Sequence, residues 1–214
     1  RFFIDVGTLV SGSFLGQLIL LIATPFLTRI YSPEDFGVYF IYISFSTVLA
    51  IFTTGRYEFA IALPKFEKDG KDILKLIFLL GFLVTLFYLI TVISYIFLAD
   101  PETFHFNYFK NNFLFLIPLS ALIASINTGL VYMIQRKKMY KTASISVVLQ
   151  NLVLVFTNLS IGLFVSVKWG LVLGLITGQV LSILFLFFRL KYNFSIFYFD
   201  YSKLLLAAEK YINF

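Results

Sequence analysis

The stretch LIFLLGFLVTLFYLITVISYIFLA, residues 76–99, decides the fold class of this 214-residue chain. It carries no charged side chain, and as an α-helix it is long enough to cross a hydrocarbon core about 30 Å thick. Backbone groups in lipid must be hydrogen-bonded within a helix or in a closed barrel, and the strict alternation of a barrel strand is absent here. The stretch therefore predicts a transmembrane helix.

Five further uncharged windows share this character, and together they set the expected architecture. They cover residues 6–28, 36–55, 111–135, 142–167 and 169–188. The chain is 60% hydrophobic and 13% charged, with a mean hydropathy of +0.93, so it has too few charges to cover a soluble domain. We expect an all-α integral membrane protein, a bundle of six transmembrane helices. Lys168 alone separates the last two windows, which predicts a tight hairpin or one long kinked element.

The distribution of basic residues predicts the orientation of this bundle. If the N-terminus is cytoplasmic, only Arg29, Lys110 and Lys168 of the 17 Lys and Arg residues fall outside. The positive-inside rule therefore places the N-terminus inside. The basic runs 65–75 and 136–138 are interpreted as topology determinants that also contact anionic membrane lipids. Because the net charge of +6 is divided among such runs, it does not indicate a nucleic-acid partner.

The residue types present do not indicate a cofactor site or a metal site. The chain has no Cys and a single His, His105, which excludes a thiolate site and a His-rich metal cluster. It has no Walker-type phosphate loop and no Ser-His-Asp set. We therefore expect no metal, no cofactor and no catalytic residue, with His105 as an ordinary surface side chain in an outside loop.

Polar side chains at membrane depth are the candidate functional residues, because they are costly to keep there. The fifth span is the most polar, whereas the third carries only scattered hydroxyls and is predicted to face lipid. Two interpretations of the polar groups stay open: hydrogen bonds between helices, or a hydrated cavity suited to hydroxyl-rich ligands such as sugars. In the second case the first, second, fourth and fifth spans line the path. The amides proposed to line it are Gln17, Asn127, Gln150, Asn151 and Asn158.

Two charged residues, Arg56 and Glu58, lie where the second span meets the inner interface. One interpretation is an interfacial anchor with a local ion pair. The other is functional, because the apolar run that follows, residues 59–63, keeps both charges near membrane depth. An Arg in an inner vestibule would suit a pyrophosphate headgroup.

Glycines recur every four residues in two of the spans. Gly12 and Gly16 do so in the first, and Gly170, Gly174 and Gly178 do so in the sixth. This spacing favours close approach of two helices and predicts a packing role.

The predicted organisation is a six-helix lobe over residues 1–191. Residues 192–214 form an interfacial segment and the start of a truncated second lobe, because 192–199 is short, aromatic and flanked by charge. The chain is interpreted as a fragment.

Three sequence segments carry a resemblance to a known family. They are TLVSG at 8–12, PFLTRIYSPEDFG at 25–37, and RYEFAIALP at 56–64, which leads into a Lys-rich inner loop. Segments of this kind and spacing resemble the start of bacterial polysaccharide (O-antigen type) flippases. The resemblance covers essentially the whole chain, as the N-terminal half of such a transporter, and residues 207–211 resemble the lead into its seventh helix.

The resemblance implies a fold, a function and a location. Such flippases belong with multidrug exporters and lipid II flippases and have two six-helix lobes around a central cavity. They move undecaprenyl-pyrophosphate-linked oligosaccharides across the bacterial cytoplasmic membrane by alternating access. The implied partners are the lipid-linked oligosaccharide, the missing C-terminal lobe, and the polymerase and glycosyltransferases of the pathway. Arg56 would contact the phosphate and Glu58 would orient it, although this half shows few of the family's basic cavity residues beyond Arg56 and Arg29.

Two alternatives remain beside the flippase. A multidrug or cation exporter of the same superfamily would need a membrane-embedded carboxylate, and the six windows contain none. A membrane glycan polymerase or acyltransferase would need a catalytic His or carboxylate and usually a large outer loop, and neither is evident. The chain is therefore not expected to be an enzyme.

Overall fold

The computed structural model describes residues 2–64, 66–98, 116–164 and 169–190, and this part of the chain is all-α without strands. Six of the helices in it are long and apolar enough to cross a membrane, which confirms the expected fold class. The stretch 192–214, His105 and Lys168 lie outside the described residues. The helices are α1 (Phe2–Ile30), α2 (Pro33–Thr54), α3 (Tyr57–Ala60), α4 (Glu67–Leu98), α5 (Ile117–Arg136), α6 (Tyr140–Phe164) and α7 (Gly170–Leu190).

The helix that contains the stretch 76–99 begins well before that stretch does. α4 begins at Glu67, because its charged first turns are helical too. Lys71 Nζ lies 3.2 Å from Glu67 Oε1, and Lys75 Nζ lies 4.0 Å from Asp72 Oδ1. Ion pairs between residues three or four positions apart support a helix where it leaves the apolar layer. A rule based on uncharged windows misses these turns.

The turn between α1 and α2 is encoded locally. The hydroxyl of Ser32 accepts the backbone N–H of Asp35 at 3.2 Å, and the Asp35 carboxylate accepts the Ser32 backbone N–H at 2.9 Å. Pro33 occupies the first helical position, where its missing N–H costs no helical hydrogen bond. This capping box starts α2 two residues after Tyr31 and forces a tight reversal.

Small residues bring α1 and α6 into close contact. A Cβ on Gly12 would lie 2.7 Å from the Ser144 Cα, and one on Gly16 would lie 2.5 Å from Asn151 Nδ2. The Ser144 hydroxyl donates to the Thr8 carbonyl oxygen at 2.6 Å. Residue numbers rise together along this contact, so α1 and α6 run parallel.

The contact between α6 and α7 is equally close, and it is antiparallel. A Cβ on Gly178 would lie 2.6 Å from the Gln150 carbonyl oxygen. One on Gly174 would lie 2.8 Å from the Leu154 carbonyl oxygen and would collide with the Asn158 side chain. α6 and α7 are therefore two separate helices packed as a hairpin, and not one kinked element.

α5 packs against α2, α4 and α7. On the α2 side, Ser46 and Ser120 share a hydrogen bond of 2.8 Å between their hydroxyls. On the α4 side, a Cβ on Gly129 would lie 2.8 Å from Leu74 Cδ1, so the two helices approach closely there. α5 is therefore the central helix of the group that it forms with α2, α4 and α7.

The largest apolar core lies at the end of the bundle that carries α3, here called the α3 end. There α4, α5 and α7 bury large side chains together, and the short α3 packs onto them. The third span, predicted to face lipid, is exposed along one face only, with Phe82, Phe87 and Ile90 outward. The core residues are Ala60, Ile61, Ile73, Leu74, Ile77, Phe78, Leu130, Met133, Ile134, Ala143, Leu186 and Leu190.

The glycine contacts predict a stability difference between two matched substitutions. Gly174→Ala places a methyl group against a backbone oxygen and should lower the midpoint of thermal unfolding in detergent by roughly 3–8 °C. Gly37→Ala on α2 meets no atom within 4 Å, so its midpoint should stay within about 2 °C of the wild type. Equal midpoints for the two variants would contradict the α6–α7 contact.

Candidate functional site

The connection from α2 to α3 is a sharp joint made of two left-handed residues. Gly55 has φ 55°, and its N–H bonds to the carbonyl oxygens of Ile51 and Phe52 at the end of α2. Arg56 follows with φ 63°, a conformation that is uncommon for a residue with a side chain. The Arg56 N–H donates to Thr54 Oγ1 at 3.3 Å, which satisfies one backbone group at the joint.

The two charged residues after this joint have different surroundings. Arg56 is exposed, and its guanidinium lies 5.7 Å from the ring centroid of Phe59. Phe59 in turn packs edge-to-face on Tyr132 of α5, with 5.5 Å between centroids. Glu58 is only 6% exposed, and its Oε2 has no hydrogen-bond partner among the described residues.

The predicted local ion pair is not formed in this state. Within residues 2–64 and the other described segments, no Arg56–Glu58 ion pair lies within 4.0 Å. The guanidinium of Arg56 is therefore accessible to an external anion, while the Glu58 carboxyl is buried with one oxygen unpartnered.

A third functional candidate, Arg136, was not singled out by the sequence. Its guanidinium donates to the backbone carbonyl oxygens of Ile61, of Pro64 at 2.6 Å and of Phe66 at 2.9 Å. The run 136–138 was assigned to topology and lipid headgroups, yet Arg136 binds the protein's own backbone. These partners are 70 or more residues away in sequence, so no local signal could have revealed them.

Two of the predicted amides, Asn127 and Gln150, form one hydrogen-bond network with Ser182 between helices. Asn127 Nδ2 on α5 donates to Gln150 Oε1 on α6 at 3.1 Å. The Ser182 hydroxyl on α7 donates to Asn127 Oδ1 at 2.9 Å. Each side chain thus has a hydrogen-bond partner on another helix. This is the first of the two interpretations that the sequence left open, hydrogen bonds between helices.

The other two amides of α6 face different helices. Asn151 is half-buried against Gly16 of α1, whereas Asn158 is 1% exposed in the contact with α7. Asn158 Oδ1 has no conventional donor in the described part of the chain, and it occupies the space where a Cβ of Gly174 would stand. Asn158 Oδ1 therefore lies directly against Gly174, where only a glycine leaves room for it.

Tyr31 ties the α1–α2 turn to the α6–α7 hairpin. Its hydroxyl donates to the backbone carbonyl oxygen of Asn158 at 2.8 Å. A Cβ on Gly170 would collide with this hydroxyl. Burial, and secondarily the Asp35 carboxylate, raise the pKa of Tyr31, so the hydroxyl stays protonated and remains a donor.

Gln17 differs from the other amides because it is exposed near the middle of α1. The hydroxyls that share its face bond within their own helix: Thr24 donates to the Leu20 carbonyl and Thr28 to the Pro25 carbonyl. The candidate amides therefore do not converge on one point in this state. Gln17 lies on an outer face, Asn127 and Gln150 lie in the network, and Asn158 lies in a helix contact.

The geometry provides no metal site in the part of the chain that the structure describes. No group of three or more His, Cys, Asp and Glu side chains is found there. The chemistry available is that of guanidinium, amide and hydroxyl groups, which bind anions and sugars by hydrogen bonds.

A structural role of the amide network predicts that replacing Asn127 lowers the thermal stability of the bundle. Asn127→Leu removes both bonds and leaves Gln150 without its donor, so the midpoint of thermal unfolding should fall by about 2–4 °C, as for a loss of roughly 1 kcal/mol. Thr47→Val is the control, because that hydroxyl bonds only to the Ile43 carbonyl of its own helix, at 2.7 Å. An unchanged midpoint for Asn127→Leu would contradict a structural role.

Comparison with known proteins gives one significant match. Residues 4–208 match the family described as polysaccharide biosynthesis protein, which covers nearly the whole chain. No curated protein and no solved structure matches significantly. The described residues contain six helices of spanning length, and this multi-pass membrane chain belongs to the polysaccharide biosynthesis protein family.

Proposed function

We propose that this chain is the N-terminal lobe of a flippase for undecaprenyl-pyrophosphate-linked oligosaccharide, the repeat unit of an O-antigen, capsule or exopolysaccharide. The observation that carries the proposal is the family match over residues 4–208 on a bundle of membrane-spanning length. Two such lobes would enclose a passage that opens alternately to either side. The role is transport, with no reaction catalysed.

The accessible polar groups suit the two parts of such a substrate. Arg56 presents its guanidinium at the α3 end, and a guanidinium binds phosphate oxygens through a planar fork of donors. Gln17 presents an amide on α1 at mid-membrane depth, where a hydroxyl-rich glycan could accept and donate hydrogen bonds. We propose Arg56 as the pyrophosphate contact and Gln17 as the first glycan contact.

The remaining candidates take supporting positions in this proposal. Asn127, Gln150, Asn151 and Asn158 would line the passage after α5, α6 and α7 rearrange, because in this state they are engaged between helices. Glu58 lies beside Arg56 in sequence and would orient it once an anion is bound.

The cellular setting follows from the same proposal. The chain would lie in the bacterial cytoplasmic membrane with its N-terminus inside, so the α3 end faces the cytoplasm. Its partners would be the lipid-linked oligosaccharide, membrane lipids, a C-terminal lobe, and the polymerase and glycosyltransferases of the same pathway. Glycosyltransferase genes beside its own gene would support this setting.

One observation favours a second candidate, a multidrug or cation exporter of the same superfamily. Such a protein needs a buried carboxylate for ion coupling, and Glu58 is buried with one oxygen unpartnered. Accumulation of lipid-linked repeat units on the inner leaflet after gene loss would indicate the flippase. Drug sensitivity without such accumulation would indicate the exporter.

Arg56 can be tested against a matched arginine. Arg56→Ala in the complete protein should reduce surface glycan at least about tenfold, because a lost charge-assisted contact to phosphate weakens binding by that order. Arg189→Ala is the control: this arginine also lies over a ring, 5.6 Å from the Phe185 centroid. Normal surface glycan with Arg56→Ala would overturn the assignment.

The proposed orientation can be tested by cysteine labelling, because these 214 residues contain no Cys. A membrane-impermeant maleimide added to intact cells should label Glu34→Cys, in the α1–α2 turn. It should label Leu63→Cys, at the α3 end, only after the cells are opened. Both positions are exposed in the structure. The reverse pattern would invert the topology.

A further inference from the structure

We infer that Arg136 is a positioning residue, which holds α3 and the segment after it so that Arg56 and Glu58 keep their places. The inference rests on the proposed function for its consequence in transport. Its structural part stands on the contacts of Arg136 alone and can be tested separately.

α3 needs an external tie because it cannot hold its own position. It has four residues, Tyr57–Ala60, and a single helical turn is not stable by itself, since nucleation fixes several residues for one hydrogen bond. The joint before it contains the left-handed pair Gly55 and Arg56. A residue with a side chain stays in that conformation only where the surroundings enforce it.

Arg136 supplies this tie from beside the buried core of the α3 end. It is the last residue of α5, two positions after Ile134, which is fully buried together with Met133. Its guanidinium reaches across to the backbone carbonyl oxygens of Ile61, Pro64 and Phe66, which span the whole connection from α3 to α4. One planar group thus fixes three points of a segment that has little regular hydrogen bonding.

The first turn of α4 is shaped to admit the guanidinium. A Cβ on Gly70 would lie 3.0 Å from Arg136 Cζ, which is tighter than ordinary packing, so a side chain there would press on the arginine. Next to it, Lys137 Nζ lies 2.9 Å from Glu67 Oε1 and forms a second, more exposed tie between α5 and α4.

The geometry separates this role from a role in topology or lipid binding. Three of the five N–H donors of the Arg136 guanidinium bind backbone carbonyl oxygens, which leaves two for any lipid phosphate. A lysine at this position would keep the positive charge, but its ammonium is a point charge without the planar fork. Arg136→Lys therefore removes the clamp while it preserves the charge.

A buried cysteine reports directly on the clamp. Ala60 is 1% exposed, so Ala60→Cys places a thiol in the interior. Ala62 is exposed, so Ala62→Cys provides an exposed reference nearby. In membranes, Arg136→Lys and Arg136→Gln should each raise the maleimide labelling rate of Ala60→Cys at least about tenfold, because labelling of a buried group follows local opening. The Ala62→Cys rate should change less than about twofold.

Two controls identify the source of any change. Lys137→Gln removes the neighbouring charge and should leave Ala60→Cys protected. Ala121→Cys, fully buried in α5 away from the clamp, should stay protected in every background if the bundle is folded. Protection of Ala60→Cys that persists with Arg136→Lys and Arg136→Gln would overturn the inference.

The transport consequence is measured in the complete protein. Arg136→Lys should lower surface glycan to the level of Arg56→Ala, at equal amounts of protein in the membrane. Normal glycan with a loosened α3 would overturn the positioning role. The labelling result needs no substrate, so it stands or falls independently of the flippase proposal, which fails instead if Arg56→Ala transports normally.

Discussion

Close backbone contact along α6 is the interaction on which the rest of the bundle depends. In lipid, apolar side chains gain little by leaving other apolar groups, so helices associate through small residues and hydrogen bonds. α6 receives Gly12 and Gly16 of α1 on one side and Gly174 and Gly178 of α7 on the other. This sets the register of three helices at once and places Asn151 against α1 and Asn158 against α7.

The same contacts decide which polar groups remain available for a ligand. Hydroxyls such as Thr24 bond to their own helix, and Asn127 and Gln150 bond to each other. These groups are satisfied and stabilise the bundle as it stands. Arg56 and Gln17 remain exposed, one at the α3 end and one near the middle of α1. The family match assigns polysaccharide biosynthesis to the chain, and these two accessible groups are the ones that we propose for contact with its substrate.

The α3 end shows how irregular backbone is accommodated beside a membrane. Non-helical carbonyl groups at such a depth need partners from the protein, and Arg136 provides them for Ile61, Pro64 and Phe66. The left-handed Arg56 and the buried Glu58 lie on this same segment. Arg136, which binds the backbone of this segment, therefore lies close to the charged residues to which we propose a functional role.

The sequence by itself determined the six helices of spanning length found in the described residues, because an uncharged apolar window of sufficient length has few alternatives to a membrane helix. It also marked the polar positions, since each is unusual in its window. The tertiary structure alone decided which amides are buried, that Glu58 is not paired with Arg56, and that Arg136 binds backbone. These facts depend on contacts between residues far apart in sequence. Helical periodicity specifies on which face of its helix a residue lies, but it does not specify which residue of another helix it contacts.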